Sequence, residues 1–179
     1  MRLIKKLITS FQKDSFLVLI SLLCLILGLI LGFLFNLKQS DITTQEVYIP
    51  DNAIKLFANN ISAMGNIAIG FFSFGIISII LLISNGVFIG LTVSEKLSSG
   101  MSILEIIIKI LPHGIFEIPA IIASGVIGLK SMKLLISVLS SQKKLSEEFV
   151  IMVKDIFVLL IVVIFLTIIS SIIEIYITP

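Results

Sequence analysis

The stretch EIIIKILPHGIFEIPAIIASGVIGL, residues 105–129, decides how the chain is read. It is almost wholly apolar and exceeds the roughly 20 residues that a helix needs to cross a bilayer. Yet Glu105, Lys109, His113 and Glu117 recur at every fourth position, with Pro112 among them. Side chains four apart share one helical face, so these residues predict a polar stripe. His113 falls roughly 15 Å along the helix from its start, close to mid-membrane depth. A charge at that depth costs at least ~2.5–3.5 kcal/mol on insertion scales. The stripe is therefore expected to face protein or water and to pair internally. Pro112 removes the N–H that would bond the carbonyl of Ile108, Gly114 invites close approach, and Pro119 repeats the disturbance. A kinked segment lined by His and Glu at membrane depth predicts a polar pocket.

The composition agrees with a membrane setting. The chain has 179 residues, 58% hydrophobic and only 13% charged, with a mean hydropathy of +1.21. A soluble domain carries roughly a quarter charged residues. The fold class expected is all-α, a polytopic integral membrane protein forming a single transmembrane domain over residues 1–179. The net charge of +2 and the lack of a basic run with interleaved aromatics exclude nucleic-acid binding. Cys24 lies inside an apolar run and reads as an inert buried thiol.

Working outward from the central stretch, the first apolar run, residues 16–35, is too long for a signal peptide and lacks a small-residue cleavage site. It reads as an uncleaved first span. A second span is expected at 61–83, broken by Ser84, Asn85 and Gly86, then a short span or half-helix at 85–93. The central stretch forms the fourth crossing and ends near residue 129. The lysine-bearing segment after it is expected to lie on the membrane surface, and the last span covers about 149–176. Five crossings place Arg2, Lys5, Lys6 and Lys13 on the same side as Lys130, Lys133, Lys143, Lys144 and Lys154. By the lysine and arginine bias that side is cytoplasmic, with the C-terminus outside. Gly28/Gly32 and Gly86/Gly90 are small-residue pairs of the kind that lets helices pack closely.

The stripe admits several chemistries. His113 and Glu117 at i and i+4 suit a divalent ion, but a zinc centre needs about three protein ligands. A third would have to be Glu105 or come from another subunit, so neither metal nor cofactor is expected. Lys109 with Ser94, Ser98, Ser99 or Ser124 is conceivable as a nucleophile pair. A proton or ion relay through Glu105, His113 and Glu117 suits a transporter. The favoured reading is a structural network of ion pairs and hydrogen bonds, with Asn85 meeting the stripe from the expected break and Asn59, Asn60 and Asn66 adding further polar groups.

Asn59–Asn60, then NGVFIG (85–90), then LPHGIFEIPAIIASGVIGL (111–129) resemble the stage II sporulation protein M family of integral membrane proteins. The proline–histidine–glycine–x–x–glutamate core stands as Pro112, His113, Gly114 and Glu117, followed by Pro119 and Ala120; Lys109 lies outside the pattern. The likeness covers residues 59–129. It implies a five-span protein without an established catalytic activity. In endospore formers such a protein gathers peptidoglycan-degrading partners during engulfment. Short relatives are encoded beside circular bacteriocins and are implicated in maturation, export and immunity. The resemblance thus implies a non-catalytic multi-span subunit of a cell-envelope or peptide-export complex. Its partners would be other membrane proteins and the lipid bilayer, with a second copy of the chain as a further option. The alternative is an intramembrane enzyme or an ion- or proton-coupled transporter using His113 and Glu117.

Overall fold

The computed structural model describes residues 14–37, 52–140 and 145–177. Among them run five α-helices and no strand: α1 (Ser15–Leu37), α2 (Ala53–Ile69), α3 (Ile76–Ser98), α4 (Ile103–Ser140) and α5 (Leu145–Tyr176). The chain is all-α, and α1, α3, α4 and α5 are long and apolar enough to cross a membrane. At 17 residues α2 is shorter. A turn of 3-10 helix, Gly70–Ser73, prolongs it. Asn52 caps its start by accepting the Lys55 N–H at 2.8 Å.

The expected break after Ser84 does not exist, and α3 runs unbroken from Ile76 to Ser98 through Ser84, Asn85 and Gly86. In place of turning the chain, Ser84 and Asn85 bond back to their own helix, at the carbonyls of Ile80 and Leu81. The reversal lies about ten residues earlier, in GFFSFG, where Phe74 (φ 53°) and Gly75 (φ 85°) are both left-handed. For Phe74 that conformation costs roughly 1–2 kcal/mol. The corner is tied by Ser78 Oγ, which donates to the Ile67 carbonyl at 2.7 Å. Ser73 Oγ adds to it by accepting the Ile77 N–H at 3.0 Å.

Gly86 serves contact rather than bending. A Cβ added there would lie 2.2 Å from the Leu25 carbonyl oxygen, and one on Gly28 would lie 2.0 Å from that of Ile83. Gly32 and Gly90 repeat the arrangement against Val87 and Leu29. The two glycine pairs face each other, so the backbones of α1 and α3 touch along a seam with no side chain between them. Leu17, Leu25, Leu82, Val126 and Leu159 join residues of α2 in the core beneath it.

The helix of the fourth crossing does not end near residue 129. Helix α4 continues to Ser140, 38 residues in all, or about 57 Å, well beyond the ~30 Å of a hydrocarbon core. It also runs helically through Pro112, Gly114 and Pro119, because at membrane depth no water rewards a broken helix. The expected surface segment is thus a direct extension of α4, and its first lysine is not on a surface. Lys130 is only 3% exposed and donates to Asp14, which is 2% exposed. Lys133 reaches the other oxygen of Asp14 at 2.5 Å, and Asp155 of α5 lies 3.6 Å from Lys130. Burial alone would raise the pKa of Asp14, but the bonds and charges of Lys130 and Lys133 outweigh it and hold the carboxyl below its ordinary value. This clamp ties the start of α1 to α4 and α5. The basic residues at 2–13 and Lys143 and Lys144 lie outside the described residues.

Candidate functional site

At the opposite end of the bundle, α4 and α5 pack side by side. His113 and Glu117 lie one turn apart on the face of α4 that meets α5. Across from them stands Glu174, in the last turn of α5. The ligating atoms of the three lie within 4.8 Å of one another, and all three side chains are half-buried. Ser170, one turn before Glu174, donates its Oγ to the His113 carbonyl at 3.2 Å and fixes the two helices in register. Ser171 beside it is 1% exposed, and its Oγ has no partner among the described residues.

The stripe is thus real in its lower half and something else in its upper half. Glu105 belongs to a helix cap: Ser102 N–H donates to its Oε2 at 2.7 Å, and Ser102 Oγ accepts the Glu105 N–H at 3.3 Å. This reciprocal pair is a capping box, so Glu105 is spent at the start of α4. Lys109 is exposed one turn below it. Asn85, expected to meet the stripe, donates to its own helix at Leu81 instead. On α2, Asn59 and Asn66 are exposed and Asn60 is half-buried. Gly114 admits no neighbouring helix, since a Cβ there would meet only Ile110 and Ile118 of α4 itself, at 3.8 and 4.0 Å.

Glu174 is not among the residues that the stripe singles out. Its signal was present: an acid in the last turn of the strongly apolar final span, preceded by Ser170 and Ser171 at i−4 and i−3. What was missing was any local reason to place it beside residues 113 and 117, some 57–61 positions earlier in the chain.

The far side of α4 has the reverse character. There Gly114, Ile107 and Ile115 join Leu29 of α1 with Ile89 and Val93 of α3 around an apolar groove of about 570 Å³. One helix therefore separates a polar cluster from an apolar cleft.

The sequence model of the stage II sporulation protein M family matches residues 21–179. An uncharacterized protein of Methanocaldococcus jannaschii is 33% identical over 169 residues, covering 90% of this chain and 93% of that protein. No solved structure matches.

Proposed function

The chain belongs to the stage II sporulation protein M family, and on that premise we propose that it is a non-catalytic membrane subunit that seats a partner's transmembrane segment. The complex it serves is one of the cell envelope or of peptide export and maturation, in sporulation or alongside a bacteriocin. The observation that carries this reading is the groove between α1, α3 and α4. It is apolar, and the glycine seam behind it holds α1 and α3 rigidly together. A fixed apolar cleft at membrane depth selects by shape, as packing between membrane helices does. In this reading the N-terminus and the Asp14 clamp face the cytoplasm, as the lysine bias suggests. The groove and the His113 cluster then lie toward the outer leaflet, where envelope partners and exported peptides are met.

The test is site-specific photocrosslinking in cells making the full chain. A photoreactive residue at Ile107 or Ile115, both exposed in the groove, should give an adduct with a membrane span of one defined protein encoded beside this chain. The same residue at Ile161 on α5, also exposed, should not. Ile115→Trp, which fills the groove, should abolish the adduct at unchanged membrane abundance. Adducts with lipid alone, or only with a second copy of the chain, would overturn the reading.

A further inference from the structure

The geometry points to a binding site for a divalent transition-metal ion held by His113, Glu117 and Glu174. This goes beyond the proposed scaffold role and does not depend on it. Helical residues at i and i+4 present two donors to one ion, as metal-binding helices commonly do. The third donor, which the sequence alone could not supply, arrives from α5. Three protein ligands are the complement of an open zinc-type centre, with the remaining position left to water. The donors now lie within 4.8 Å of one another. Metal–ligand bonds of about 2.0–2.2 Å require the set to contract by roughly 1 Å, which rotation of the carboxylates supplies.

Two further observations support a bound ion. The donor set, two carboxylates and one imidazole, is a combination that divalent transition-metal ions take. Ser171 provides the second. Its buried hydroxyl is unpartnered and lies three residues before Glu174, on the same side of α5. Ser170, through its bond to the His113 backbone, acts as the positioning residue that keeps α4 and α5 in register. Imidazole with carboxylates suits Zn²⁺ or Mn²⁺ and not Mg²⁺, which favours oxygen and water ligands.

His113 is the only histidine in the chain, which makes the test specific. The full chain, purified in detergent without a polyhistidine tag and stripped with chelator, is loaded with Zn²⁺, Mn²⁺ or Mg²⁺ alone. Bound metal is then counted after desalting. About one Zn²⁺ per chain is expected, with X-ray absorption showing one imidazole among oxygen ligands. Affinity should fall at least tenfold in His113→Gln, Glu117→Gln and Glu174→Gln. It should be unchanged in Glu105→Gln, which alters only the cap. Should a variant fail to fold, the imidazole signature of the wild type still decides, because only His113 can produce it. No Zn²⁺ or Mn²⁺ retained by the wild type would overturn the site. So would Zn²⁺ bound without imidazole, or affinity indifferent to Glu174→Gln in a folded chain.

Discussion

Replacing Asp14 by Leu should destabilise the bundle out of proportion to one changed side chain. Asp14 holds two lysines, and they differ. The Lys133 side chain is 41% exposed and can turn to water, so losing its partner costs little. Lys130 is 3% exposed and cannot turn away. A buried charge stripped of its partner costs about 3–5 kcal/mol. Asp155 at 3.6 Å retains part of the attraction, which places Asp14→Leu near the lower end, about 3 kcal/mol. Lys130→Met leaves Asp14 with Lys133 and removes one charge-assisted bond, about 1.5–2 kcal/mol. The double variant strands nothing and should cost only ~1–2 kcal/mol, so the cycle shows a coupling of roughly 3 kcal/mol. At about 2–4 °C per kcal/mol for a chain of this size, Asp14→Leu lowers Tm by roughly 6–12 °C and the double variant by about a third to two thirds of that. Thermal unfolding in a fixed detergent, followed by circular dichroism, reads all three. Acid offers a second readout. The Asp14 pKa is lowered on folding, so its stabilisation is present above the unfolded-state value, near pH 4, and is lost as pH falls through the folded value. Wild-type Tm should therefore drop on acidification below about pH 4, and this component should vanish in Asp14→Leu. Additive single effects, or a double variant as unstable as Asp14→Leu, would refute the clamp.

Two glycines make opposite predictions under the same substitution. Gly86→Ala drives a methyl to 2.2 Å from the Leu25 carbonyl and should lower stability by about 1–3 kcal/mol or more. Gly65→Ala meets nothing within 4 Å and should raise it by about 0.5–1 kcal/mol through helix propensity; equal shifts in Tm would dismiss the seam. For topology, a cysteine replacing Gln45 should label from outside intact cells and one replacing Gln142 should not. Both positions lie outside the described residues, and labelling of the two from one side would reverse the proposed orientation.

The elements that were legible in the sequence are those whose cause is local. The apolar runs of α1 and α5 and the paired glycines at four-residue spacing each predict what is found. The misplaced break came from applying a soluble-protein turn signal at membrane depth. In water, Asn and Gly side by side favour a turn. In α3 the Asn amide satisfies its own helix, and the glycine is there for α1. The premature end of α4 had a different origin. Lys130 reads as a surface lysine until Asp14, 116 residues away, is brought beside it. The polar stripe was half legible for the same reason. Its spacing exposes His113 and Glu117, but Glu105 has a closer use as a cap, and Glu174 enters only through the packing of α4 on α5.

The distance in sequence between Asp14 and Lys130 also imposes an order of manufacture. At about 5–20 residues per second, the ribosome delivers Lys130 some 6–23 s after Asp14. Until then Asp14 lacks both lysines that hold it in the finished fold. The seam with α3 needs only residues up to Gly90, so α1 finds its neighbour before it finds its lock. The ion clamp is thus a late latch, closed only when most of the chain has been made. A truncated product would carry the seam without the latch and leave a lone carboxylate at the membrane border.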